Sequence, residues 1–506
     1  MFLKRHQIND PMNMLKYFRA IQYPPLLLPL IQAALWIKDI QHVDCGMNAG
    51  YDRIWNDVGD LKYLVGKQWP IQTMKLHLRF LDGWASASQR NGNPRALDGV
   101  KWVKCVTELL DAVLAQGCLT LEVDGGHSLN RLYVEKETSG MTETADVQSF
   151  PTRGQVVRKR LTAFLKQTSA WIFCQPNKTL PDLRPSAAPS GPYLNDVTFS
   201  HSMMFQDCFY PWTLQMFAKN SATITHLSFQ VTSLPAETFS HFLFSITLPR
   251  LGHLKITAHS NQNHLTITRT VKFSEFLAFF ERHSSIETLD LQGVERPEAP
   301  PILETCLLPQ LKQIVAHPVW ISTLITPSKS CPDAFPFIES IGITTEYPTF
   351  MDPFEEEHVY ELINDALWAI TRASFPRTIT LELQLKTKRG MLDWLDKHSS
   401  LGKENSIISS LWCVSTLVLT TRFYVCFGRE EIHHLPSWLA LFPALKIVNI
   451  PDLRQEKDGY RLFDDSPLLR KISVKCPTLE KVESALASID LSTLLDPAER
   501  PHLNVN

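Results

Sequence analysis

An apolar triplet with the spacing I-x-x-L-x-L recurs along the chain and constrains its fold more than any other feature. Residues 284–293 read SSIETLDLQG and carry the triplet at Ile286, Leu289 and Leu291. A single triplet fits any buried strand, but recurrence at steps of roughly 24 to 45 residues is typical of a repeat array. The other strong copies are Ile224, Leu227, Phe229; Leu251, Leu254, Ile256; Leu311, Ile314, Ala316; Ile338, Ile341, Ile343; Val414, Leu417, Leu419; Leu445, Val448, Ile450; and Leu469, Ile472, Val474.

Weaker copies extend the array toward the N-terminus and fill a gap near its middle. They are Leu76, Leu78; Leu121, Val123; Leu194, Val197, Phe199; and Leu381, Leu383. One step, from Leu121 to Val197, spans roughly 76 residues and indicates either a hidden copy or a long loop. The asparagine that follows the strand in a standard leucine-rich repeat is missing, so the array is irregular.

Amphipathic stretches lie between the triplets. KFSEFLAFFERHSS places Phe273, Phe276, Leu277 and Phe280 on one helical face. EEEHVYELINDALWAITR carries a longer apolar stripe within residues 359–370. Strand and helix therefore alternate, which predicts parallel strands joined by right-handed crossovers.

We therefore predict an α/β fold: an irregular leucine-rich-repeat-like solenoid with a curved parallel sheet on the concave side and helices on the convex side. Residues 1–70 are expected to form a helical N-terminal cap, residues 71–490 the solenoid, and residues 491–506 a tail. Polar, aperiodic stretches predict loops near 137–152 and 178–192. The second loop, rich in proline, is also compatible with a docking peptide in polyproline conformation.

Alternate strand positions are expected to face the open, concave side of the sheet, because successive side chains of a strand point to opposite faces. In the best copies these positions are mostly polar, which suits a water-facing binding surface. The candidate binding residues are His226, Ser228, Gln230, His253, Lys255, Thr257, Thr288, Asp290, Gln292, Gln313 and His317.

Composition argues against several classes of partner. The formal net charge is −2, so no basic footprint for nucleic acid is expected. The longest apolar run, residues 21–37, contains three prolines and is not expected to span a membrane. The ten cysteines form no C-x-x-C pair and the N-terminus lacks a secretory signal, which favours reduced thiols and a cytoplasmic or nuclear protein.

No catalytic or metal-binding motif emerges, so we expect no enzyme, no catalytic residues, no cofactor and no metal. Gly66-Lys67 lacks the spacing and the hydroxyl residue of a phosphate loop. Asp124 and His127 could suggest a metal-ligand pair, but a tight turn after a strand is the simpler interpretation. His433-His434 has no ligand partner at a suitable spacing. Most tryptophans fall on helical stripes and are expected in the core.

Several stretches resemble the divergent F-box/leucine-rich-repeat-like proteins of fungi. FLAFFERHSSIETLDLQG is similar to the helix-then-strand unit of that family, and LLPQLKQIVAHPVWISTLI is similar to its next unit. KCPTLEKVESA resembles the terminal unit, and RIWNDVGDLKYLVG resembles the tryptophan-bearing segment that follows the F-box. The F-box module itself has no recognisable counterpart, and YPPLLLPLIQAALWI is at best its remnant.

The resemblance implies a non-catalytic protein-recognition scaffold similar to the substrate receptor of a cullin-type ubiquitin ligase. Its partners would be an unknown protein target and, where an F-box remnant works, a Skp-type adaptor. The first alternative is a leucine-rich-repeat interaction module with no ubiquitin-ligase link. The second, from another class, is an enzyme with a dispersed active site that gathers perturbed carboxylates or histidines.

Overall fold

The computed structural model describes the chain in segments. They are residues 17–20, 41–46, 58–59, 61–63, 65, 71–78, 99–125, 194–200, 202–230, 236–257, 273–292, 294, 303, 305–325, 335–344, 354–385, 388–421, 429–450, 466–483 and 488–491. The expected loops at 137–152 and 178–192, residue His127 and all of the expected tail except Leu491 lie outside these segments.

Strands and helices alternate over most of the described chain. The strands are β1 (Tyr17–Ala20), β2 (His42–Gly46), β3 (Thr73–His77), β4 (Thr120–Asp124), β5 (Asp196–Phe199), β6 (His226–Gln230), β7 (His253–Thr257), β8 (Thr288–Gln292), β9 (Gln313–Ala316), β10 (Ser340–Ile343), β11 (Ile379–Leu385), β12 (Val414–Thr421), β13 (Ile447–Asn449), β14 (Lys481–Glu483) and β15 (Ser488–Asp490). The α-helices are α1 (Gly99–Ala115), α2 (Tyr210–Asn220), α3 (Ala236–Ser245), α4 (Phe273–Arg282), α5 (Pro318–Ile325), α6 (Phe354–Arg372), α7 (Lys388–Asn405), α8 (Arg429–Leu439) and α9 (Ser466–Lys475). Short 3₁₀ helices occupy Ser202–Phe205 and Ile407–Ser410.

One sheet contains all fifteen of these strands, and their order in the sheet is their order in the chain. Each strand pairs in parallel with the next, except that β15 returns antiparallel to β14. Because each strand is bonded only to its neighbours in sequence, every unit is held by the unit before it and the unit after it. The chain is thus an α/β protein with a mostly parallel sheet, an arrangement compatible with a solenoid.

The central residues of the apolar triplets lie directly opposite one another across the sheet. Leu227 pairs with Leu254, Leu254 with Leu289, and Leu289 with Ile314. The same row continues through Ile341, Leu381, Leu417 and Val448. A shift by one residue would turn each apolar side chain to the other face, so this alignment fixes the register of the strands. The prediction that these triplets line up as parallel strands is confirmed.

The helices cover the apolar side of the sheet. Phe239 and Phe242 of α3 pack against Phe229 of β6, with ring centroids 5.7 and 5.3 Å apart. Neighbouring helices also contact one another, and Trp394 of α7 lies 5.6 Å from Trp438 of α8. The buried apolar side chains form a single cluster from Val43 to Leu491. Since fully burying one large apolar side chain contributes about 1.5–3 kcal/mol, each triplet is a substantial part of the stability of its unit.

One triplet was misassigned. Leu469, Ile472 and Val474 do not form a strand, because they lie in helix α9. The true apolar face of this segment is Leu468, Leu469 and Ile472, which are buried, whereas Val474 is 59% exposed. The strand of this unit is β14, where Val482 pairs with Val448. A run of spacing 3 and then 2 does not by itself distinguish a strand from a helix with one exposed apolar residue.

Two further differences concern the first part of the chain. Within residues 1–70, which were expected to be helical, β1 and β2 are strands that extend the sheet beyond β3. Helical residues in this region occur between 58 and 65. Across the long step between Leu121 and Val197, β4 pairs directly with β5 at every residue from Asp196 to Phe199, so these two strands are neighbours in the sheet.

A search of the described residues finds no helix with the length and apolarity needed to cross a bilayer.

Two tryptophans also depart from the expected core positions. Trp368 on α6 and Trp412 before β12 are 47% and 69% exposed, whereas Trp438 is fully buried.

Replacing Phe242 by alanine is expected to lower the free energy of unfolding by about 3–5 kcal/mol, because it leaves a cavity in the core between α3 and β6. Phe244 on the same helix is 78% exposed and provides the matched control. Phe244→Ala is expected to change the free energy by less than about 1 kcal/mol. Denaturant unfolding followed by circular dichroism measures both variants, and similar losses would contradict this packing.

Candidate functional site: the polar face of the sheet

The side of the sheet opposite the apolar triplets carries mostly polar residues, and we call it the polar face. Its first row crosses neighbouring strands at directly opposite positions: Thr73, Thr120, Asp196, His226, His253, Thr288, Gln313, Ser340 and Thr380. The second row, two residues further along each strand, includes Asp44, Lys75, Glu122, Thr198, Ser228, Lys255 and Asp290. Side chains that are distant in sequence therefore become neighbours.

Nine of the eleven candidate binding residues are at least partly exposed on the polar face. They are His226, Ser228, Gln230, His253, Lys255, Thr288, Asp290, Gln292 and Gln313. Thr257 is buried, and its hydroxyl donates to the carbonyl of Phe229. His317 is also buried, and its Nδ1 accepts a hydrogen bond from the backbone N–H of Val319 at the start of α5. These two side chains offer almost no surface to a partner.

Three lysines on or beside this face are each paired with a carboxylate of a neighbouring unit. Lys75 lies 2.6 Å from Glu122, Lys255 lies 2.9 Å from Asp290, and Lys312 lies 2.6 Å from Glu287. Exposed pairs of this kind contribute only about 0.2–1 kcal/mol each to stability. Their main effect is on charge, because they neutralise one another along this stretch of the sheet.

His226 and His253 stack face to face across β6 and β7. Their ring centroids are 4.0 Å apart and their planes differ by 6°. Nδ1 of His226 lies 2.8 Å from Oγ1 of Thr225, which can donate to the carbonyl of Asn195. Nδ1–H of His226 is then the donor to the threonine oxygen, and the ring is oriented by this contact.

Asp196 lies directly opposite His226 on the other side from His253. Partial burial raises the pKa of Asp196 above its usual value, although His226 acts in the opposite direction. The pKa of His253 is lowered, chiefly by burial and next by the adjacent His226. Stacked imidazoles at this distance repel each other once both carry a proton, so the doubly protonated pair is disfavoured.

A second cluster lies on β2, β3 and β4, where His77 sits between two carboxylates. Nε2 of His77 is 3.1 Å from Oδ1 of Asp44, and Nδ1 is 3.1 Å from Oδ2 of Asp124. Asp124 is directly opposite His77, whereas Asp44 is two residues away in register. Only 7% and 2% of the two aspartate side chains are exposed.

These two contacts determine the charge of His77. The hydrogen bond to Asp124, followed by the bond to Asp44, raises the pKa of His77 to about 9, against a smaller opposing effect of burial. His77 is therefore an imidazolium at neutral pH and donates one N–H to each carboxylate. With both ring nitrogens protonated and engaged, it lacks the free basic nitrogen that a general base needs. This cluster behaves as a buried ion triad that joins three strands.

The backbone behind the triad requires glycine at position 125. Gly125 follows β4 with a φ of +137°, and a Cβ at this position would lie 2.6 Å from the carbonyl carbon of Leu78. The chain after β4 thus packs directly on the chain after β3, which holds Asp124 beside His77. The interpretation of VDGGH as a tight turn after a strand did not identify this close approach or the contact between Asp124 and His77, and the last two residues of VDGGH lie outside the described segments.

Sequence analysis did not predict the contacts of His77 with Asp44 and Asp124, because these aspartates are 33 and 47 residues away from His77 along the chain. One signal was present: each is a polar residue at or near the end of a strand in three successive units. Recognising it required the strand at 42–46, which was not predicted. Among the described residues, no group of three or more histidines, cysteines or carboxylates is arranged to hold a metal ion.

Comparisons with known proteins assign no family. No family model matches the chain, and no curated protein matches it either. Among solved structures, one that is similar is the crystal structure of a protein from Bacteroides fragilis determined in a structural genomics programme. It shares 13% sequence identity and a TM-score of 0.29, over 66% of this chain and 85% of the other. Likeness at this level says nothing about function.

Replacing His77 by glutamine is expected to destabilise the protein by about 2–3 kcal/mol at pH 6.5, because two buried carboxylates lose their shared cation. His77 has a higher pKa folded than unfolded, so its stabilisation is complete below about pH 6.5 and is lost as the pH rises through about 9. Thermal unfolding between pH 6.5 and 9 is therefore expected to show a fall in stability that is smaller in His77→Gln.

The triple variant Asp44→Asn, His77→Gln, Asp124→Asn is the control, since it removes the carboxylates together with the cation. It is expected to regain part of the stability lost in His77→Gln. A single variant as stable as the wild-type protein, with an unchanged pH profile, would contradict the ion triad.

Proposed function

We propose that this chain is a non-catalytic protein-recognition scaffold, built as an irregular leucine-rich-repeat-like solenoid whose sheet forms a concave binding surface and whose helices lie on the convex side. The observation that carries the proposal is the polar face itself. It is a continuous sheet surface on which side chains from consecutive units, such as Ser228, Lys255 and Asp290, lie in register. Such a surface suits a protein partner that contacts several units at once.

The electrostatics of the described polar face support recognition rather than catalysis. The one strongly perturbed histidine on this face, His77, is held between two carboxylates. The lysines Lys75, Lys255 and Lys312 are paired across strands and form no concentrated basic stripe. Since both of its ring nitrogens are engaged, His77 lacks the free basic nitrogen that a general base in a dispersed active site would need.

Within this proposal, the resemblance to fungal F-box/leucine-rich-repeat-like proteins favours a substrate receptor of a cullin-type ubiquitin ligase, acting in the cytoplasm or nucleus through a Skp-type adaptor. The alternative is an interaction module with no ubiquitin-ligase link. Strands β1 and β2 favour this alternative, because they extend the sheet through part of residues 1–70, the region in which an F-box remnant was expected to be helical.

Two arginine substitutions on the polar face, Ser228→Arg and Gln313→Arg, are expected to reduce the recovery of specific partners at least fivefold in affinity purification with mass spectrometry. Both positions are accessible, and each added side chain projects from the surface without breaking an ion pair. The matched control carries Gln215→Arg and Ser245→Arg, which exchange the same residue types at exposed positions of α2 and α3. The control is expected to recover the same partners as the wild-type chain.

Unchanged recovery with the polar-face variant would overturn the recognition surface. A Skp-type adaptor recovered with the wild-type chain and with both variants would support the ligase receptor, because the adaptor would bind elsewhere than on this face. Recovery of polar-face partners without such an adaptor would support the alternative module.

A further inference from the structure

One carboxylate on the polar face stands apart from the others in this part of the sheet. Glu122, Asp290 and Glu287 each have a lysine partner. Asp196 is half-buried and forms no ion pair with any residue in the described segments. Its neighbours in the first row are Thr120 on one side and His226 on the other.

The charges around Asp196 leave this patch negative at neutral pH. The three lysine–carboxylate pairs cancel, and the stacking of His226 on His253 disfavours the state in which both rings are protonated. The carboxylate of Asp196 then supplies the uncompensated charge. Partial burial makes a carboxylate without a counterion unfavourable, so a cation brought by a partner would gain more here than at a fully solvated carboxylate.

The stacked imidazoles define the shape of the site. His253 covers the face of His226 that points toward β7, so the opposite face of His226 is turned toward β5, the strand that carries Asp196. A planar guanidinium placed at Asp196 would continue this stack while donating two N–H groups to the carboxylate. Arginine is better suited to such a site than lysine, because its flat, rigid fork can stack and bind in a bidentate manner at the same time.

We propose that Asp196, His226 and His253 form a binding site for an arginine side chain of a protein partner, and that mild acid releases it. This inference rests on the proposed recognition function and gives its partner a chemistry. The carboxylate binds the guanidinium, and the face of the His226 ring supports it. Protonation of either imidazole places a positive charge beside the bound cation and opposes binding.

The neighbouring charges allow this response to acid. The neighbouring charged groups are already paired with one another: Lys75 with Glu122, Lys255 with Asp290, and Lys312 with Glu287. Lysine and carboxylate side chains ordinarily keep their charges between pH 7.5 and 5.5. Histidine is the side chain that ordinarily changes charge in this range, and the described histidines of this patch are His226 and His253. Burial and the adjacent His226 hold the pKa of His253 below its usual value.

The test uses the full chain and a fluorescently labelled tetra-arginine peptide, with binding measured by fluorescence anisotropy at pH 7.5. Asp196→Asn is expected to weaken binding at least fivefold. Glu287→Gln removes the same charge one strand beyond His253, from a carboxylate already paired with Lys312, and is expected to change the affinity less than twofold. Equal losses in the two variants, or no measurable binding by the wild-type chain, would overturn the site.

The acid response is tested with the same peptide at pH 5.5. The wild-type affinity is expected to fall at least fivefold, whereas the double variant His226→Gln, His253→Gln is expected to lose less than twofold. Circular dichroism at both pH values verifies that each variant is folded. Equal acid sensitivity of the wild-type and double-variant chains would overturn the release mechanism. Absence of the expected peptide binding, together with partner recovery that still depends on Ser228 and Gln313, would contradict the arginine site. The same result would leave the proposed recognition function supported.

Discussion

Hydrogen bonding between consecutive parallel strands, combined with burial of their common apolar side, is the constraint on which the rest of the structure depends. An isolated strand of four or five residues has no neighbouring strand to pair its backbone N–H and C=O groups, and its apolar side chains lie in water. The next strand in the chain supplies both needs, since Leu254 meets Leu227 on one side and Leu289 on the other. The antiparallel return of β15 onto β14 pairs the last parallel strand on its outer side.

The same register that builds the core also builds the polar face. When apolar residues align across strands, the alternate residues align as well, so Asp196, His226 and His253 form a row although they are 30 and 27 residues apart along the chain. The packing of the core thereby determines which charged side chains become neighbours on the polar face. At β2–β4 this alignment produces a buried triad that stabilises the sheet, and at β5–β7 it places a carboxylate beside two stacked imidazoles. In the first cluster, the carboxylates of Asp44 and Asp124 are paired with His77. In the second, Asp196 has no ion-pair partner among the described residues, and we propose that it binds a cation of a protein partner.

Features that arise from local interactions could be predicted from the sequence better than features that depend on contacts between distant segments. Each triplet reflects a local requirement, which is the burial of one side of a strand. Leu289 and Ile314 could therefore be predicted as neighbours from the sequence alone. Helix α9 was missed because its apolar residues mimic the strand spacing, and β2 was missed because HVDCG carries little apolar signal. The triad of Asp44, His77 and Asp124 depends on the pairing of three strands, which no local pattern encodes. The polar-face positions were predicted, but the burial of His317 depends on where α5 begins.

A disulfide test addresses the register of the sheet most directly. Cysteines introduced at Thr288 and Gln313, which are directly opposite on β8 and β9, are expected to form a disulfide under mild oxidation, because paired residues lie within the reach of that bond. Cysteines at Thr288 and Val315 share the same face but are offset by two residues, and are expected to remain unlinked. Peptide mapping by mass spectrometry distinguishes the introduced bond from any formed by native cysteines. Linkage in the offset pair, or in neither pair, would contradict the alignment of the triplets as neighbouring parallel strands.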